Sequence, residues 1–345
     1  MKRKSSLDIA KFIGALMILI IHTNPFGSYS TLISFGFRNV ICVIAVPFFF
    51  ATSGYLLTGK LKALQTVQQQ NNYMKKYLKR LLMIYLFWSA VYFPFVVINW
   101  LRVGFSIGLV LEYIKDFVFE GSYLTIWFLP ALLTATALFF LLRRKIGSKM
   151  TFFIGCGIYV VTLLLSSYYG VLVRISGLFH KVGQLYYAVF DSVKNGVLFG
   201  WVFVAMGGLL SDADFFARFT RKQTFLGLLI SYGLLCVEVV IYKLLGEPKG
   251  VDTVASLIPM TFCAMLFALT FDMQPSALCL TLHKYSILIF LCQRIPISII
   301  ELFLNETVLA TNTAVKCVTV SAAAFLISFA ILKLSEKWSW MKKIY

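Results

Sequence analysis

The sequence predicts an all-α integral membrane protein, a bundle of about ten transmembrane helices with both termini on the cytoplasmic side. Three observations carry that expectation. First, 60% of the 345 residues are hydrophobic and only 13% are charged, with a mean hydropathy of +0.85. Soluble domains carry about 25% charge, and a soluble fold of this length has too little interior to hide so much apolar side chain. Second, the apolar residues come in runs of about twenty, the length that crosses a hydrocarbon core. Third, the lysines and arginines behind the formal net charge of +18 sit in short blocks between those runs, as the positive-inside rule describes. That placement argues for a lipid bilayer and against nucleic acid as the partner. Residues 1–345 read as a single polytopic membrane domain.

Taken in order, the apolar runs place helices at Leu7–Asn24, Ser34–Leu57, Leu78–Trp100, Leu124–Leu142, Phe152–Tyr168, Asn195–Leu210, Thr224–Leu244, Val254–Phe271, Leu280–Leu302 and Val315–Leu332. The basic blocks then choose the orientation. Lys2-Arg3-Lys4, the group Lys60, Lys62, Lys75, Lys76, Lys79 and Arg80, the run Arg143-Arg144-Lys145 with Lys149, the group Arg218, Arg221 and Lys222, and the tail Lys333, Lys337, Lys342 and Lys343 all fall on one side if the number of spans is even. That side is cytoplasmic. The polar stretch Tyr55–Lys79, with Gln68-Gln69-Gln70-Asn71-Asn72, reads as a flexible cytoplasmic loop. The loop Ser166–Lys194 lies outside and is long enough to fold over an outer cavity.

Other signals are weaker. The seven cysteines form no CxxC pair, so neither a disulfide framework nor a zinc site is expected. Lys2-Arg3-Lys4 precedes an apolar stretch, but Asn24-Pro25-Phe26 offers no signal-peptide cleavage site, so that stretch reads as a helix that stays. Gly196 and Gly200 form a GxxxG pair, which helix packing ordinarily explains. The chain shows neither an internal repeat nor a GxxxxGK phosphate loop, which argues against inverted-repeat transporters and ATP-driven chemistry.

The first helix carries the chemistry. Charged side chains within a span cost about 2.5–3.5 kcal/mol each at the helix centre and usually face a polar interior. Asp8, Lys11 and His22 all lie in this helix. At 100° per residue, Lys11 and His22 fall within about 20° of each other, roughly 16 Å apart along the axis. Asp8 lies about 40° from His22 on the same face. One reading is an interfacial Asp8–Lys11 pair, with His22 bonded to a neighbouring helix. The other is a buried general base above a cationic anchor, a role that suits imidazole because its ordinary pKa is near neutrality.

These residues resemble the opening of the type-three membrane acyltransferases, multi-pass enzymes that O-acylate cell-surface polysaccharides, exopolysaccharides and antibiotics. Leu7-Asp8-Ile9-Ala10-Lys11 leading to Ile20-Ile21-His22 carries the likeness, with lysine where the family more often has arginine. Val46-Pro47-Phe48-Phe49-Phe50 and Ser53-Gly54-Tyr55-Leu56-Leu57 are similar to the family's second-helix signature, and Trp127-Phe128-Leu129 to its fourth. One departure is Phe290-Leu291-Cys292-Gln293, where many members carry Tyr-Leu-x-His. The membrane part of the serine racemases of vancomycin-resistant bacteria resembles the same family, and is thought to move serine. The chain, with no soluble domain after Lys342-Lys343, is then a short complete member or such a membrane part.

The resemblance implies a bacterial plasma-membrane protein that moves an acetyl or other acyl group from cytoplasmic acyl-CoA to a hydroxyl of an extracytoplasmic carbohydrate or other acceptor. Acetyl-CoA is the implied donor, and its thioester is already activated, so no metal is expected. His22 and Asp8 are the expected catalytic residues. Lys11, Lys79 and Arg80 would hold the donor's phosphates by charge. Arg38, Ser53, Tyr55, Trp127 and Glu238 are the expected acceptor-side residues, although Arg38 could equally snorkel to the interface and Glu238 could be a packing residue, a histidine partner or a proton relay. Arg294 and Glu301, two turns apart, are expected to pair. The alternative function is a non-enzymatic transporter of a small, serine-like molecule that uses the same polar stripe.

Overall fold

The computed structural model describes residues 4–245 and 249–345. The basic residues Lys2 and Arg3, used above to orient the chain, lie outside the described residues. Among those described, 80% are helical and none is in a strand. The elements in order are α1 (Ser5–Thr23), α2 (Thr31–Gly36), a π-turn (Phe37–Ile41), α3 (Ala45–Lys62), α4 (Val67–Val103), α5 (Ile107–Phe119), α6 (Phe128–Leu165), α7 (Tyr169–Ile175) and α8 (Gly177–Tyr187). After a second π-turn (Gly196–Gly200) come α9 (Trp201–Leu210), α10 (Ala213–Phe216), α11 (Arg221–Leu245), α12 (Leu257–Leu269), α13 (Ala277–Cys292), α14 (Arg294–Phe303), α15 (Val308–Thr311) and α16 (Thr313–Lys337). The chain is therefore a helical, multi-pass membrane protein. Seven helical stretches among the described residues are long and apolar enough to cross a bilayer, and two shorter apolar helices cover 196–210 and 257–269.

All ten apolar runs read from the sequence fold as helix over most of their length. The fourth and fifth share one continuous stretch, α6, but Gly147 at φ 76° and ψ 162° leaves helical space inside it. Only glycine takes that conformation cheaply, so α6 is two helices joined through a single residue. The expected flexible loop between Tyr55 and Lys79 is corrected. Helix α3 runs to Lys62 and α4 starts at Val67, so only residues 63–66 connect them. The reason is local. The Gln69 N–H donates to Thr66 Oγ1 (3.2 Å), and Gln69 Oε1 accepts from the Thr66 N–H (3.3 Å), a reciprocal capping box. Gln70 Nε2 then donates to the carbonyls of Leu61 and Leu64, satisfying the end of α3. The stretch 166–194 likewise folds largely into α7 and α8.

Contacts gather into two compact units. The first comprises 47–78 and 130–271. Its helices touch through small residues: a Cβ on Gly54 would lie 2.0 Å from the Val204 carbonyl oxygen, and one on Gly207 only 1.8 Å from that of Ala51. That close approach of α3 to α9 explains the glycine of the Ser53-Gly54-Tyr55 signature. The GxxxG pair also packs, Gly196 against Ala131 and Thr134, and Gly200 against Phe50. Leu57, Leu61, Met74 and Phe140 form a buried cluster, with Leu64, Tyr73, Tyr77 and Leu78 packed against it.

The second unit comprises 4–46, 79–129 and 272–345. Its centre is α1 against α13, running parallel: Ser5 Oγ at the start of α1 donates to the Gln274 carbonyl (3.2 Å) just before α13 begins. The far end of α1 meets the start of α16, where Thr313 Oγ1 donates to the Pro25 carbonyl (3.0 Å) and Tyr29 Oη to Asn312 Oδ1 (3.0 Å). Helix α4 braces the other side. Trp88 Nε1 donates to the Ile344 carbonyl (2.9 Å) and Tyr92 Oη to that of Leu291 (2.6 Å).

Candidate functional site

Asp8 stands in the first turn of α1, where a carboxylate is favoured by the helix dipole, and Lys11 follows one turn later on the same face. The Lys11 ammonium lies 3.0 Å from Asp8 Oδ1. Parallel packing brings a third group to the pair, His283 on α13. Its Nδ1 is 2.8 Å from Lys11 Nζ and 3.6 Å from Asp8 Oδ1. An ammonium has no acceptor, so Lys11 donates and a neutral His283 accepts at Nδ1, which leaves its proton on Nε2. The Asp8 and Lys11 side chains are each 7% exposed and His283 is 32% exposed. Burying a charge is tolerated when it is paired and hydrogen-bonded, and this cluster satisfies that condition with one carboxylate, one ammonium and one imidazole.

The remaining residues expected from the sequence are placed as follows. His22 is half-buried in the last turn of α1, at the other end of the helix from Asp8 and Lys11. Arg38 lies exposed on the π-turn. Lys79 is exposed, and Arg80 donates from Nη2 to the Tyr345 main-chain oxygen (2.7 Å). Trp127 is half-buried, and its backbone presses on Gly121, where a Cβ would lie 2.4 Å from the Trp127 Cα. Those residues belong to the second unit. Ser53, Tyr55 and Glu238 belong to the first. Ser53 Oγ donates to the carbonyl of Phe49 in its own helix (2.8 Å), and Tyr55 is buried.

Glu238 is buried and richly bonded. Its carboxylate accepts from Tyr168 Oη (2.8 Å), the Ala255 N–H (2.7 Å), the Ser256 N–H (2.8 Å) and the Ser256 hydroxyl. It thereby closes the N-terminus of α12 from a neighbouring helix, where negative charge is favoured. Arg294 and Glu301 pair as expected, at 2.6 Å, and Lys316 joins the same carboxylate at 3.0 Å.

Sequence reasoning missed His283. It lies 272 positions from Lys11, and only the packing of α1 on α13 joins them. The available signal was its place among apolar residues in the ninth predicted helix, where an ionisable group is a functional hypothesis by default.

Residues 4–333 match the acyltransferase domain of the acyltransferase 3 family. The chain belongs to that family. Its curated relatives include an amino-acid racemase of Enterococcus faecalis, 27% identical over 97% of this chain and 47% of that protein, and a second from the same organism, 31% identical over 68% of this chain and 31% of that one. A serine/alanine racemase of Enterococcus gallinarum is 25% identical over 99% of this chain and 47% of its own length. This acyltransferase 3 protein thus spans at most about half the length of the curated relatives it matches. No solved structure matches it.

Proposed function

We propose that this acyltransferase 3 protein is a bacterial plasma-membrane O-acyltransferase that moves an acetyl group from cytoplasmic acetyl-CoA to a hydroxyl of an extracytoplasmic acceptor such as a cell-surface polysaccharide. The observation that carries it is the family match across nearly the whole chain. His22 accepts the hydroxyl proton as that oxygen attacks the thioester carbonyl; the carbon–sulfur bond breaks, and the proton leaves with CoA as its thiol. Transient acyl transfer through the imidazole is the other route open to this residue. Lys11, Lys79 and Arg80 answer the donor's phosphates with positive charge. Asp8 and His283 hold the Lys11 ammonium in place. Arg38, Ser53, Tyr55, Trp127 and Glu238 serve the acceptor side, Glu238 through the backbone it anchors. The test is CoA release from acetyl-CoA by the purified protein, with and without His22. Release that is absent from the intact protein sinks the reading.

A second reading is a transporter module for a serine-like small molecule. It is favoured by the relatives' names, which are racemases of amino acids. Uptake of labelled serine into vesicles containing the protein, with no consumption of acetyl-CoA, would favour it.

A further inference from the structure

The stretch 277–303 is long and apolar enough to cross a bilayer, and Gln293, between α13 and α14, keeps helical φ and ψ (−57° and −27°), so what breaks there is the hydrogen-bond ladder and not the path of the chain. Pro296 follows three residues on, and its ring removes an N–H from the ladder. The break is braced on both sides. Tyr92 Oη holds the Leu291 carbonyl before it, and Tyr123, stacked on Tyr92 at 4.9 Å, meets Ser298 Oγ at 2.8 Å after it.

Two polar atoms at this break are buried without partners: Gln293 Oε1, on a residue that is 0% exposed, and Arg294 Nε. Polar atoms buried in a native protein are nearly always bonded, so two orphans on consecutive residues call for a ligand. One is an acceptor and the other a donor. The charges nearby are unequal as well. Arg294 and Lys316, with side chains 11% and 13% exposed, share the single carboxylate of Glu301. Two cations against one anion leave a net positive charge beside Arg294, which favours something negative joining it.

We infer that the α13–α14 break binds a free α-amino acid, the Arg294 Nε–H and the excess positive charge taking its carboxylate and Gln293 Oε1 or Glu301 taking its ammonium. A bare anion would answer the charge but leave the Gln293 oxygen unpaired. A bare amine would meet two cations. A free α-amino acid carries one group for each orphan. The inference rests on the second reading above for its ligand class, and it holds whether or not the molecule is then carried across the membrane.

The experiment is equilibrium binding of tritiated L-serine and L-alanine to the purified full chain in detergent, with acetate and ethanolamine as half-ligands. The wild type is expected to bind one or both amino acids, and neither half-ligand is expected to compete well. Gln293→Met keeps the shape and removes an unsatisfied oxygen, so its melting temperature should hold or rise, while affinity falls about tenfold or more. Arg294→Lys keeps the pair with Glu301 and removes the Nε donor, with a similar loss. Absent binding by the wild type, or unchanged affinity in both variants, overturns the inference and leaves the orphans to water. Competition by acetate as strong as that by serine overturns the zwitterion assignment. Binding without uptake into vesicles supports the site while removing the transport reading.

Discussion

At the scale of single residues, Lys11 and Asp8 are tied more tightly than their place near a helix end suggests. Breaking a buried pair by removing one partner costs about 3–5 kcal/mol, because the other charge stays buried alone. Lys11→Met should therefore lower the melting temperature of the purified protein strongly, and the double variant Asp8→Leu/Lys11→Met should recover most of it. A double variant no more stable than the single would mean that the two charges do not depend on each other. His22 sits at the opposite end of the same helix, and its test is kinetic. As general base it contributes about 10²–10⁴-fold, so His22→Gln, which keeps a hydrogen bond but cannot take the proton, should lose nearly that much CoA release while folding normally. Wild-type turnover in that variant would make His22 structural. The stripe of Asp8, Lys11 and His22 was legible because all three lie in one helix with a known period. The partner on α13 was not, because pairing between helices distant in the chain leaves no local mark. The same limit hid the four donors around Glu238, two of which are backbone groups with no sequence signature of their own.

At the scale of elements, apolar run length located the helices and missed how they join. The stretch rich in glutamine and asparagine looked like loop because its polarity was read without its caps. Thr66 followed three residues later by Gln69 is a start signal, and it sets the beginning of α4. Thr66→Ala should cost about 0.5–2 kcal/mol, seen as a lower melting temperature, and should speed protease cleavage between Leu61 and Gln70. An unchanged cleavage pattern would show that the helix start is held by something else. The close approach of α3 to α9 gives a sharper expectation. Any side chain at Gly207 must displace the Ala51 carbonyl, so Gly207→Leu should leave little folded protein, whereas Gly157→Leu, where a Cβ meets nothing within 4 Å, should be tolerated. Equal yields of the two would contradict the packing.

At the scale of the whole molecule, composition was enough for the membrane class, since 13% charge cannot cover a soluble surface. The number of crossings and the sidedness rest on the basic blocks. They predict that a reporter fused after Tyr345 reads cytoplasmic and one inserted at Gly177 reads extracytoplasmic. Both on the same side would remove an odd number of crossings. The grouping into two units was not legible, because each unit gathers segments from distant parts of the chain.

The carboxylate of Glu238 has a consequence for the order of synthesis. A ribosome completes α11 while Ala255 and Ser256, which supply three of the four donors to that carboxylate, do not yet exist. Until the chain has grown eighteen residues past Glu238, the nascent helix offers lipid a carboxylate without those donors, a state the membrane disfavours. The cheaper course is for α11 to wait and enter together with the segment that leads into α12, as one hairpin. Chains truncated just after α11 should then integrate poorly in a cell-free membrane system, chains that extend past Ser256 should integrate well, and Glu238→Leu should abolish the difference.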